Sequence, residues 1–148
     1  MAAAASTAPP TVAAALLVQR LAIAAFLGVW TSLKFYRPEW FGNVYKPFLD
    51  PTPWGIDWAT LATAAGLAQA TLVALFALGL FRTPVYAMVT LMHGAGVLNA
   101  AVSGRLGEWT AFPNNLLWTS VATLGALVAL FLMRRLDRYT LDGLVRRR

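Results

Sequence analysis

The sequence predicts an all-α protein: an integral membrane, antiparallel four-helix bundle with both chain termini cytoplasmic. Three observations predict it. The 148 residues are 59% hydrophobic and only 12% charged, against about 25% charged in a typical soluble domain. The apolar residues gather into four stretches near the length of about 20 residues that a membrane-spanning helix needs. The basic residues collect on one side of those stretches, as expected of cytoplasmic loops.

The elements follow in chain order. Residues 1–10 form an Ala-rich tail closed by Pro9-Pro10. It is expected to be disordered, and without a basic n-region it does not have the pattern of a signal peptide. Residues 11–36 make the first span, with 21–33 in the lipid core. Arg20 and Lys34 bracket that core and are expected to snorkel to opposite interfaces. An aromatic, Pro-rich loop covers 37–57, and the second span covers 58–81. After a tight turn at Arg82-Thr83, the third span covers 84–102. Its Pro84 sits in the first turn, where the missing N–H is harmless. A polar loop (103–114) leads to the fourth span (115–133), so residues 11–135 form one domain. Residues 136–148 are expected to be a basic cytoplasmic tail. With Arg134, Arg135 and Arg138 it would anchor on anionic headgroups at about 1 kcal/mol per arginine.

Sorting charges by side gives the orientation. One side holds Arg20, Arg82, Arg134, Arg135, Arg138 and Arg146 to Arg148 against Asp137 and Asp142. The other holds Lys34, Arg37, Lys46 and Arg105 against Glu39, Asp50, Asp57 and Glu108, and is neutral. The positive side is expected inside, giving a multi-pass inner (plasma) membrane protein with N-in/C-in topology. All six tryptophans (Trp30, Trp40, Trp54, Trp58, Trp109, Trp118) fall at or beyond the outer helix ends. They suit interfacial anchoring, or else a recess for a ring-bearing, lipid-soluble ligand or a docking surface for a partner.

Small residues recur every four positions: Ala24, Gly28, Ser32; Ala62, Gly66, Ala70, Ala74; Gly96, Ala100, Gly104. These stripes are expected to form close helix seams inside the bundle, or to face another subunit. Three uncharged polar residues lie deep in spans: Gln69, His93 and Asn99. At 1.5 Å per residue, Gln69 and His93 sit roughly 18 Å and 14 Å from the basic turn. A Gln69–His93 hydrogen bond, direct or through water, would satisfy both in hydrocarbon. Asn99 and Lys34 would form a polar floor beneath the tryptophans. His93 reads as a neutral, satisfied imidazole, as a donor to a quinone-like carbonyl or proton relay, or as a haem ligand.

No complete catalytic motif is present. The chain has no cysteine, one histidine and six acidic residues. Dithiol chemistry and thiolate metal sites are excluded, and no metal-ligand or catalytic set is expected. The net charge of +6 lies at the end of an apolar helix, so nucleic acid is not the expected partner.

The layout resembles the DoxX-like family of small four-helix bacterial membrane proteins over about residues 20–135. The shared features are Arg20 opening the first span, Gly28 within it, Lys34-Phe35 closing it, an aromatic outer loop, Arg82 in the turn and a Gly/Ala-rich third span. Two positions depart: Gln69 stands where the family often has an acidic residue, and Thr31 where it often has glycine. The resemblance implies quinone reduction, as in the small subunit of thiosulfate:quinone oxidoreductase, or membership of a redox partner complex. Thiol-handling relatives are disfavoured by the absence of cysteine.

The expected function is therefore a non-catalytic subunit that anchors or organises a redox or respiratory membrane assembly, with lipids and other membrane subunits as partners. Alternatively it is a quinone-interacting subunit of a membrane oxidoreductase, with the ligand among Trp30, Lys34, Gln69, His93, Asn99 and Trp118. A small oligomeric transporter or channel ranks third, because no charge is central to a span.

Overall fold

A computed structural model describes residues 9–46, 49, 51–105, 107, 110 and 116–145. Among these, the regular structure is helical and contains no strand. The helices are α1 (Pro10–Tyr36), α2 (Pro38–Tyr45), α3 (Trp58–Leu78), α4 (Arg82–Val102), α5 (Leu117–Leu132) and α6 (Leu141–Val145), with a 3-10 turn at Thr52–Trp54. Three of them, α1, α3 and α4, are long and apolar enough to cross a membrane. The 16 residues of α5 rise about 24 Å, short of a hydrocarbon core of about 30 Å. The expected tail (1–8), Glu108, Trp109 and Arg146 to Arg148 lie outside the described residues.

Helix ends follow local chemistry. Pro10 opens α1 and Pro38 opens α2, positions that need no N–H. Asp57 precedes α3 and accepts the Thr60 backbone N–H at 2.6 Å, which is an N-cap. That bond holds the Asp57 carboxyl below its ordinary value. α3 stops three residues earlier than the apolar run because Gly79 takes φ 67°. Gly79 N–H bonds Phe76 O and Leu80 N–H bonds Leu75 O, both at 3.0 Å, forming a Schellman cap. Gly104 closes α4 with the same pair of bonds, to Ala101 O and Ala100 O. Phe81 also has positive φ (49°) without being glycine, a conformation that costs about 1–3 kcal/mol.

The loop expected over 37–57 contains a helix. In α2, Phe41 and Tyr45 stack at 4.6 Å, one turn apart, and Phe41 meets Trp58 edge-on at 6.3 Å. Gly42 is buried with its α-carbon against the Trp58 indole, where a Cβ would lie 3.4 Å from the ring.

The chain divides into two compact units, Met1–Ile23 with Leu75–Arg148, and Ala24–Ala74. The divisions fall within α1 and α3. In the first unit α4 packs on α5, and Leu16, Phe76, Val85, Tyr86, Val89, Leu127 and Leu130 are buried. In the second, Ala24, Leu27, Thr31, Ala62, Gly66 and Val73 are buried. There a Cβ on Gly66 would lie 2.7 Å from the tip of the Phe35 ring, so the missing side chain makes room for the aromatic.

The four-residue stripes are not seams along their length. Ala62 and Gly66 are buried but Ala70 and Ala74 are exposed, and on α4 Ala100 is buried while Gly96 and Gly104 are exposed. Nothing lies within 4 Å of where a Cβ on Gly28 or Gly96 would stand. The reason is geometric: four residues overshoot one helical turn by about 40°, so a strict four-residue repeat rotates off the buried side. The buried line on α3 instead runs Ala62, Gly66, Val73, Phe76.

Candidate functional site

The densest polar constellation centres on Arg20, where snorkelling to the interface was expected. Arg20 is only 2% exposed. Its Nη1 pairs with Asp137 Oδ2 and donates to Tyr86 Oη at 3.1 Å. Its Nε donates to Ala77 O at 3.2 Å and its Nη2 to Tyr139 O at 2.6 Å. Tyr86 Oη in turn donates to Asp137 Oδ2 at 2.6 Å, and its ring meets Phe76 edge-on at 5.0 Å. Snorkelling fails here because the chain brings its own carboxylate, 117 positions away, to the guanidinium. A charge kept from water persists when it is paired and its remaining donors are met.

The carboxylate comes from the segment expected to be a free basic tail. Residues 133–136 turn back, and Asp137 and Thr140 are buried, at 0% and 3% exposure. Thr140 sits over Gly79: a Cβ on that glycine would lie 2.6 Å from Thr140 Cβ and Cγ2. Asp142 accepts the Phe81 and Arg82 N–H groups at 3.1 and 2.9 Å, so a residue distant in sequence caps α4. These bonds also hold Phe81 in its left-handed conformation. Arg82 returns the contact, with Nη1 donating to Asp137 O at 2.7 Å and Arg134 O at 3.2 Å. Residues 136–145 are therefore a folded closure rather than a tail. Arg82 is half-buried within it, Arg138 is half-buried, and Arg134 lies over the Phe131 ring at 4.3 Å. Of the arginines expected as anchors, Arg135 alone among the described ones is exposed.

Chemically the cluster is a lock. Its acid–base groups, Tyr86 and Asp137, are 1% and 0% exposed and are engaged with each other and with Arg20. It joins α1, α4 and the segment after α5 through one shared carboxylate oxygen. The other oxygen, Asp137 Oδ1, has no hydrogen-bond partner among the described residues.

The six ligand candidates divide between the two units. His93, Asn99 and Trp118 belong to the first; Trp30, Lys34 and Gln69 belong to the second. His93 Nε2 lies 2.9 Å from Ser120 O on α5. The carbonyl only accepts, so Nε2 carries the proton. A Cβ on Gly94 would lie 3.5 Å from Leu124 Cδ1, one turn beyond Ser120, at ordinary contact distance. Asn99 is half-buried, and its backbone carbonyl accepts from Ser103 Oγ at 2.7 Å. Trp118 is 49% exposed. In the second unit Lys34 Nζ lies 5.9 Å from the Phe41 centroid, Trp30 meets Phe26 edge-on at 6.3 Å, and Gln69 is half-buried on α3. A residue not singled out by sequence, Gln19, donates from Nε2 to Ala126 O at 2.7 Å and ties α1 to α5. No group of three potential metal ligands occurs among the described residues.

The chain matches no protein-family model, no curated protein and no solved structure.

Proposed function

We propose that this chain is a DoxX-like, four-span inner-membrane protein with both ends cytoplasmic, acting as a non-catalytic anchoring or organising subunit of a redox or respiratory assembly. One contrast carries the proposal. The strongest polar groups of the first unit, Arg20, Tyr86 and Asp137, are closed on one another and hold the chain together. The apolar helix faces, by contrast, are left uncovered: Val18, Val29, Leu67, Leu91, Leu98, Val102 and Leu132 are 60–73% exposed. A chain built this way offers surfaces rather than a reaction centre. Lipid covers such faces, and close packing with other helices covers them equally well. Arg134, Arg135 and Arg138 beyond α5 support a cytoplasmic C-terminus.

Extraction in mild detergent followed by native mass spectrometry tests the proposal. A stable complex with a larger membrane or redox protein is expected. A monodisperse single chain that reduces quinone unaided would sink it.

A quinone-interacting subunit is the second reading. What favours it is a half-buried imidazole, His93, with a defined proton position among apolar helix surfaces. Quinone analogues at a hundred times Kd would then stabilise the fold by about 2.7 kcal/mol, and His93→Phe would abolish that gain. No shift in melting temperature at saturation removes this reading.

A further inference from the structure

Beside the lock lies a cleft of about 630 Å³ lined by Leu80, Phe81, Arg82, Arg134, Arg135 and Asp142, among others. Three arginines line it, with one aspartate. That carboxylate is engaged: Asp142 accepts two backbone N–H groups, and its Oδ2 stands 4.0 Å from Arg82 Nε. Arg82 shares this carboxylate, while Arg134 and Arg135 have no acidic partner among the described residues and carry the cationic excess. Arg82 Nη1 is held by two backbone carbonyls, which fix its direction and leave its charge. Arg134 Nη1 donates to Phe131 O at 2.8 Å, and its Nε is buried with no hydrogen-bond partner among the described residues. Arg135 is exposed. Pre-oriented guanidinium donors with a cationic excess are the arrangement that binds phosphate oxygens.

The surroundings select the kind of phosphate. Phe81 on the rim is 65% exposed, and Leu132 and Met133 at the end of α5 are 70% and 37% exposed. Leu78, at the end of α3, is 50% exposed. The cleft thus lies where apolar helices end in arginine, and its cationic wall continues into an apolar one. We propose that this cleft binds the headgroup phosphate of an anionic phospholipid, with the acyl chains running along the exposed apolar residues of α3 and α5. The proposal rests on membrane insertion of the apolar helices and is independent of any redox role.

The test is a titration of the full-length protein in zwitterionic detergent, read by native mass spectrometry and by melting temperature. The ligands are phosphatidylglycerol, phosphatidylcholine and inorganic phosphate. One phosphatidylglycerol is expected to be retained at least tenfold more tightly than phosphatidylcholine, with inorganic phosphate giving no comparable shift. The R134Q/R135Q variant should lose about tenfold or more in phosphatidylglycerol affinity, two arginines each contributing near an anionic headgroup. K46Q, which removes a charge outside the cleft, should lose nothing. If R134Q/R135Q does not fold, R135E alone is used, since Arg135 is exposed, and a similar loss is expected. Equal retention of phosphatidylcholine, or unchanged phosphatidylglycerol binding in the variants, overturns the proposal. Stabilisation by inorganic phosphate as large as that by lipid overturns the lipid assignment and makes the cleft a free-anion site.

Discussion

Replacing Asp137 by Asn tests the lock most directly, because the side-chain shape is kept and the charge is removed. Asp137 Oδ2 receives both Arg20 Nη1 and Tyr86 Oη, and all three side chains are at most 2% exposed. Breaking a buried pair by removing one partner costs about 3–5 kcal/mol, since the remaining charge stays buried and unpaired. Asparagine still offers an acceptor to Tyr86, so the loss should fall at the lower end, near 3 kcal/mol. For a chain of this size that is a fall in melting temperature of roughly 6–12 °C. Asp137→Ala removes the Tyr86 acceptor as well and should fall further. The double replacement Arg20→Met with Asp137→Leu removes both charges, so no charge is stranded, and it should regain most of the loss. Thermal unfolding in detergent gives the energies. Trypsin cleavage after Arg138, slow in the parent and fast in Asp137→Asn, shows that the closure has opened. A melting temperature for Asp137→Asn within about 2 °C of the parent, or a double variant whose loss equals the sum of the two singles, would refute the coupling.

Other outcomes follow from single contacts. Gly79→Ala forces a side chain into φ 67° and to 2.6 Å from Thr140; it should cost about 1–3 kcal/mol from the backbone alone, and Thr140→Gly should recover only the steric part in the same melt. Asp57→Ala removes the α3 cap. Its carboxyl titrates below the ordinary value of 3.8 because it accepts the Thr60 N–H, so its contribution is complete above that value and is lost as pH falls through the lower folded one. The melting-temperature difference between parent and Asp57→Ala should therefore be constant from pH 7 to about 5 and shrink below about 4; a difference that grows on acidification refutes the capping role. Single cysteines in this cysteine-free chain test orientation: Trp54→Cys should label from outside in intact cells and Arg138→Cys only after permeabilisation.

How much was legible in the sequence depends on the range of the interaction. Helix identity came from composition, because about 20 consecutive apolar residues have few alternatives to a spanning helix. Helix ends were less clear. The Gly79 cap was available as a glycine near the end of an apolar run, but hydropathy alone carried the second span on to 81. The helix in the first loop also carries local signals: Pro38 at the first position, Glu39 in the first turn, and Phe41 and Tyr45 one turn apart. The lock was invisible. Arg20 carries no local mark of its partner, because hydropathy and charge windows are shorter than the 117 residues between it and Asp137. Counted in isolation, each charge takes its default of facing water, which is how Asp137 came to be assigned to a solvated tail. His93 shows the same limit at shorter range: its Nε2 meets the backbone carbonyl of Ser120, and no sequence pattern marks which carbonyl a histidine will meet.

The correction at Arg20 changes the charge tally from which a cytoplasmic C-terminus is proposed. The charge tally set eight arginines against two aspartates on one side. Arg20 with Asp137 and Arg82 with Asp142 are now paired within the chain. Each pair is neutral, so neither feels the forces that hold basic loops inside. Removing two arginines and both aspartates leaves six arginines and no acid, all at or after residue 134. The net charge of that side is unchanged, but its source moves wholly to the C-terminal end, since α1 then carries no free cation there. Orientation should therefore be set by the segment made last. Neutralising Arg134, Arg135 and Arg138 together should scramble or invert the labelling of Trp54→Cys, whereas Arg20→Met should leave it unchanged. If Arg20→Met inverts the topology and the C-terminal triple replacement does not, Arg20 acts as a topology anchor before the lock forms, and the division of roles drawn from its burial is wrong.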